Sequence, residues 1–272
     1  MTIQTATRPV VPTRPSTAAR RFAALVRAET TILLRNKTAV FTAVALPFMM
    51  AFAFSGMALD PVSLGILLST ILLGTGLLFV VYYTMVTSLV GRREQLVLKR
   101  LLAGEPTRWE ILLAPAVPLW VLLVVQAGVG VGAAVFWFDA PMTHPWALVL
   151  AVAGGASAWT ALAIWSATWT RTVESAQLTT MPLMLVSILL SGFSIPLSAL
   201  PAPAETAAHW LPMAPVVDLL TFAFTGMGLG GTPVTGPAEI LAAAATMLAP
   251  LVLWTALGLW AGLRSFRWDA RS

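Results

Sequence analysis

Apolar residues run along this chain in long blocks separated by short polar stretches. Six blocks, at residues 38–59, 62–90, 111–138, 146–170, 176–195 and 238–263, each come near or above the roughly 20 residues a helix needs to cross a bilayer. The second holds 29 residues; at about 1.5 Å per residue it exceeds a hydrocarbon core of ~30 Å, so it must tilt or project. Ahead of the blocks, Phe22, Leu25, Val26, Ile32 and Leu33 recur at helical spacing, with Arg20, Arg21, Arg27, Thr31 and Arg35 largely on the other side. That predicts an amphipathic helix over 16–37, capped by Ser16 or Thr17 and lying in the membrane interface with its arginines toward anionic headgroups. A basic flank before the first span is the plainer reading, but the sustained period favours the helix. Residues 1–15, with Pro9, Pro12 and Pro15 and no apolar core of signal-peptide length, read as a disordered tail. The segment 194–237 breaks the block pattern; its apolar run 216–224 is too short to span. It is expected to sit at the outer interface or to dip back under cover of other protein.

Composition agrees. At 58% apolar and 10% charged residues, with a mean hydropathy of +0.85, a soluble domain of 272 residues would carry more apolar surface than it could bury. The net charge of +5 raises nucleic acid as a partner, but the cations flank apolar blocks rather than gather with stacking aromatics, so no nucleic acid is expected. The absence of cysteine removes disulfides, thiolate chemistry and cysteine-held metals. With the N-terminus inside, the inner segments hold seven Lys/Arg before residue 38, five in 91–108, then Arg171 and finally Arg264, Arg267 and Arg271, which accounts for all sixteen. The outer segments hold none, so the positive-inside rule predicts six spans with both termini cytoplasmic.

The most distinctive stretch is 91–111, GRREQLVLKRLLAGEPTRWEI, where Leu96, Leu98, Leu101 and Leu102 interleave with Arg92, Arg93, Glu94, Lys99 and Arg100. A helix here has one apolar and one charged face, suited to docking. For an arbitrary membrane protein such charges only fix topology. The order Arg93-Glu94, then Leu98-Lys99-Arg100-Leu101, then a Pro and a new apolar helix, resembles the coupling loop of ABC-2 type permeases, the membrane subunits of ATP-binding-cassette exporters. The family's usual Gly-Thr ahead of the Leu is Leu96-Val97 here, and its Pro is displaced to Pro106 behind Glu105. The order Ser191-Gly192, Pro196, Leu200-Pro201, Leu211-Pro212, Pro215 and Asp218 is also similar to that family, whose outer helices cap the pathway. The resemblance implies an all-α fold: an elbow helix over 16–37, six transmembrane helices over 38–263, a coupling loop at 91–110, short outer re-entrant or interfacial helices within 194–237 and a cytoplasmic tail at 264–272. It implies that Arg92, Arg93, Glu94, Leu98, Lys99, Arg100 and Leu101 meet a separate ABC ATPase subunit in two copies, beside a second copy of this chain or a homologous permease. ATP and Mg²⁺ then belong to the partner and no cofactor to this chain. The same analogy makes Phe48, Met49, Phe52, Phe79, Tyr82, Tyr83 and Ser187 candidates for lining a pathway, although aromatics and methionines usually just pack against lipid or neighbouring helices.

Other chemistry is sparse. The spans have no acidic, basic or histidine residue well inside them, which argues against proton- or sodium-coupled transport. His144 and His209 lie in outer segments without a second ligand at metal spacing. Ser191, His209 and Asp218 can be drawn as a triad, but no G-x-S-x-G supports it. No G-x-x-x-x-G-K-[ST] occurs, so ATP is not held here by that motif. The pairs Gly128/Gly132 and Gly258/Gly262 allow close helix approach, within one subunit or between two. With hydroxyls at Thr75, Thr84, Thr87 and Ser187, the apolar interior suits a drug-like natural product or a lipid better than a small ion. A membrane scaffold or immunity protein without transport is the rival reading.

Overall fold

The computed structural model describes residues 17–35, 37, 41, 45, 48–49, 52–53, 60–192, 197, 200–266 and 268. The predicted N-terminal tail, most of the first predicted span and residues 267 and 269–272 of the predicted C-terminal tail lie outside the described residues; the start of that tail, Arg264 and Ser265, belongs to the last helix. Those described are helical apart from turns and one isolated bridge, Met227 to Pro233. The amphipathic period over 18–35 gives α1, Ala18–Arg35. The second block gives α2, Val62–Glu94, 33 residues long, which is the predicted overlong helix. It starts where Asp60 accepts from the Ser63 amide at 3.0 Å, satisfying an otherwise orphan N–H. Within α2, Gly76–Tyr83 winds as a π-helix, a wider coil the apolar period did not announce.

A short α3, Val97–Leu102, follows. Then comes α4, Arg108–Trp137, opened by a reciprocal Thr107–Glu110 capping box in which the Thr107 amide donates to Glu110 at 2.7 Å. Next are α5, Pro145–Trp169, and α6, Val173–Leu189, started by a Thr172–Ser175 box. The outer segment forms α7, Ala202–Ala208, and α8, Ala214–Thr225, and the last block forms α9, Pro237–Ser265.

Among the described residues, four helices, α2, α4, α5 and α9, are long and apolar enough to cross a membrane. α6 begins ahead of the predicted 176–195 span and stops at Leu189, because Gly192 turns the chain at φ +76. Its 17 residues make about 26 Å.

Helix α2 forms the centre of the bundle: 72% of its spanning window is buried, against 22% for α9. It runs antiparallel to α4, Gly65 meeting Ala134 and Gly76 meeting Leu123, and the Ser69 hydroxyl donates to the Gly130 carbonyl at 3.0 Å. Helices α5 and α9 run parallel, since Gly154 faces Leu251, Ala161 faces Gly258 and Trp165 faces Gly262. The Gly258/Gly262 pair therefore serves packing inside one chain. Gly128 and Gly132 face open space, beside the exposed Val121, Val125 and Val129 of α4. Exposed tryptophans mark both ends of the bundle, Trp109, Trp169 and Trp260 at one and Trp137, Trp146 and Trp210 at the other, as in an interfacial belt.

Helix α8 is covered by α5, α9 and α2, with Leu219, Phe222 and Phe224 wholly buried. Its last carbonyls are satisfied by the α4–α5 loop, where the His144 amide donates to Ala223 at 2.9 Å. Non-spanning backbone at this depth is tolerated only with such cover.

Candidate functional site

At the end of the bundle where α2 finishes, two consecutive arginines turn to different elements. Arg92 pairs with Glu29 of α1 through both guanidinium nitrogens. Arg93 is 1% exposed and donates to the Ala167 carbonyl at 2.8 Å, to Thr170 and, at 3.5 Å, to Arg171. These carbonyls close α5, where the helix leaves orphan acceptors and a partial negative charge, so a buried cation is satisfied there. The fork fixes the base of the charged segment to α1 on one side and to α5 on the other. A second tie joins Arg21 of α1 to Glu110 of α4 at 3.5 Å, beside the bond that the Glu110 carboxylate accepts from the Thr107 amide.

Beyond the fork, Leu96 takes a left-handed conformation, φ 58, to swing α3 away from α2. A bulky side chain is strained there, at a cost of about 1–2 kcal/mol. In α3 the apolar period seats Leu98 in the core and half-buries Leu101, while Glu94, Lys99 and Arg100 are exposed. Of the seven predicted docking residues, then, Arg92, Arg93 and Leu98 are buried or engaged within the chain, and the exposed charged surface is that of Glu94, Lys99 and Arg100.

Above the Glu29–Arg92 pair lies a cavity of about 820 Å³. Its walls are Ile32 and Leu33 of α1, Phe79, Tyr83, Thr84, Thr87 and Ser88 of α2, Pro115, Pro118 and Leu119 of α4, and the α6 face from Val173 through Gln177, Thr180 and Met184 to Ile188. The π-helical turn contributes Phe79 and Tyr83. Thr84, Thr87 and Thr180 donate back to their own helices, at 2.9, 3.1 and 2.8 Å, leaving their oxygens able to accept.

The predicted lining residues divide. Phe79 and Tyr83 line the cavity; Tyr82 turns into the core, bonded to Ser166 at 2.8 Å and edge-on to Trp159. Ser187 is fully buried and its hydroxyl has no hydrogen-bond partner. Phe48, Met49 and Phe52 are helical and exposed. Glu29 was not singled out, although the signal was there: an acid at helical spacing from Leu25 and Leu33 lies on the apolar stripe of α1, where nothing charged belongs unpaired.

At the opposite end, His209 Nδ1 and Asp218 Oδ2 stand 2.8 Å apart. Ser191, the third member of the drawn triad, is buried and its hydroxyl bonds to neither. The Asp218 bond raises His209 above its ordinary pKa, helped by Glu205, and burial pushes Asp218 up against the pull of His209. Among the described residues no group of three His, Asp or Glu could hold a metal.

Compared with known families, residues 20–225 match the ABC-2 type transporter. The chain belongs to the ABC-2 type transporter family. The match runs from α1 to the end of α8, so it includes the fork, the cavity walls and the covered outer helix but not α9. No curated protein matches the chain. The permease is a multi-pass membrane protein, and the family it belongs to is one of membrane transport subunits rather than of enzymes.

Proposed function

We propose that this permease moves a hydrophobic or amphipathic substrate, such as a drug, a natural product or a lipid, outward across the cell membrane, powered by a separate ATPase subunit. The observation that carries the reading is the cavity of about 820 Å³ whose charged floor is built on the same helix end that presents α3. A groove lined by four helices and closed by an ion pair at the base of a docking helix can couple closure outside the bundle to access within it. Two permease copies, this chain with itself or with a homologue, work with two ATPase subunits, which hold ATP and Mg²⁺. Glu94, Lys99 and Arg100 meet the ATPase, Leu98 and Leu101 anchor α3 to the bundle, and Arg92 and Arg93 transmit its displacement. The apolar block 38–59 and α6 complete six spans with α2, α4, α5 and α9. Both termini then lie in the cytoplasm, as the distribution of cations supports.

The test is transport and ATPase copurification in a strain expressing the permease with its ATPase. Glu94→Ala and Arg100→Ala should insert normally, yet lose ATPase attachment or hydrolyse ATP without transport. Losing one buried charged partner at such an interface costs about 2–5 kcal/mol, roughly thirty-fold to several thousand-fold in affinity. A single cysteine at Ala204, labelled from outside by an impermeant reagent, and one at Ala103, shielded, report unchanged orientation; both sites are exposed. If both variants insert, bind the ATPase and transport like the parent, α3 is not the coupling element.

A further inference from the structure

We infer that Glu29 is the head-group site for a cationic amphipath, which enters the cavity by taking the place of Arg92; this rests on reading the permease as the transport subunit. Three observations lead there. Among the described residues, Glu29 and Arg92 are the only charged ones in the cavity wall, at one end of a surface otherwise made by groups such as Phe79, Tyr83, Leu119 and Met184. The polarity of the cavity is therefore that of a molecule with one charged end and an apolar body.

The two partners are also unequally held. Glu29 is 8% exposed and sits mid-helix on the face of α1 turned to the bundle, on a short side chain that cannot leave the cavity wall without moving the helix. Arg92 lies in the last turn of α2, two residues before the exposed Glu94, on a long side chain that can extend past the helix end. The guanidinium is the releasable member and the carboxylate the fixed one.

Charge balance then selects the ligand. An ammonium or amidinium head replaces one cation by another, leaving Glu29 paired while Arg92 gains water. An anionic head would have to draw Arg92 away and strand a buried carboxylate that no other cation in the wall can meet, the costly way to break such a pair. A neutral amphipath leaves the pair closed. Release of Arg92 unties α1 from α2 five residues ahead of α3, so occupancy of the cavity reaches the docking helix through one side chain.

The experiment uses the purified full-length chain in dodecyl maltoside and three fluorescent probes. Each has a dansyl group on a five-carbon chain, ended by an ammonium, an acetamide or a carboxylate. Saturable binding is read from the rise in dansyl emission. The ammonium probe should bind at least tenfold more tightly than the other two, and Glu29→Gln should lower its affinity at least tenfold and abolish the preference. Arg92→Gln, which leaves Glu29 uncompensated, should melt early and be restored by the ammonium probe but not by the acetamide. Equal binding of the three probes, stronger binding of the carboxylate, or ammonium binding unchanged in Glu29→Gln overturns the inference. So does an Arg92→Gln protein that the ammonium probe fails to stabilise, which keeps the test decisive should Glu29→Gln not fold. Binding requires no ATPase: preference without ATP-driven transport would sink only the permease reading, and ATPase coupling without preference only this inference.

Discussion

Replacing Arg93 by Met tests whether the fork is a strut of the fold or part of the docking surface. The guanidinium is 1% exposed and gives one bond of 2.8 Å to Ala167, another to Thr170 and a marginal one of 3.5 Å to Arg171. Hydrogen bonds from a charged group contribute about 1.5–3 kcal/mol each, and a cation at a helix C-terminus up to ~2 kcal/mol more. Methionine fills much of the space and avoids the desolvation of a buried charge, which returns part of that sum. A net loss of about 3–4 kcal/mol remains, because the α5 carbonyls stay buried without donors. At about 2–4 °C per kcal/mol for a domain of this size, the midpoint should fall by roughly 6–16 °C. The assay is thermal unfolding in detergent followed by size-exclusion fluorescence. Arg93→Lys should recover only part of the loss, since an ammonium lacks the fork geometry that spans two carbonyls. Arg100→Met, at an exposed site, should stay within about 0.5 kcal/mol. An Arg93→Met protein that melts with the parent, or an Arg100→Met protein that falls as far, refutes the division between strut and docking residues. Leu98→Asp cannot make this distinction, because Leu98 is itself buried in the core.

Two further outcomes follow from packing and charge. A Cβ at Gly258 would lie 2.8 Å from the Ala161 backbone, so Gly258→Ala should cost about 1–3 kcal/mol by forcing α5 and α9 apart. Gly132→Ala, which meets nothing within 4 Å, should be neutral or stabilising by up to about 1 kcal/mol; an equal loss at Gly132 together with a lost dimer would place that face between two copies. At the outer end, the raised pKa of His209 means that its contribution to stability is fully present below the ordinary value of 6.5 and fades as pH rises through the raised one. The parent should therefore be relatively more stable at about pH 6 than at about pH 8.5, and His209→Gln should lose that difference; an unchanged pH profile of the melting point would remove the pair from the account.

Much of this protein is legible without coordinates because a bilayer imposes one-dimensional rules. Block length and hydropathy located α2, α4, α5 and α9, the period of 18–35 located α1, and the excess length of α2 followed from counting residues. The alternation of Leu with Lys and Arg after Gly91 gave the inward Leu98 and the outward Lys99 and Arg100. The sequence could not say which way each charge turns, since adjacent residues on a helix differ by about 100° and only the neighbouring elements decide what each one meets. So Arg92 and Arg93, alike in the sequence, part toward α1 and α5, and Tyr82 and Tyr83 part toward core and cavity. The π-helical winding of Gly76–Tyr83 was likewise not legible in the apolar period, and it begins at a close approach across helices, where a Cβ on Gly76 would meet Leu123 and Gln126 of α4 within 2.8 Å. The same limit applies to Glu29: its place on an apolar stripe was written in the sequence, but its partner, 63 residues away, was not. Patterns of period and length are local and survive in one dimension; pairings between distant helices exist only once the chain has packed.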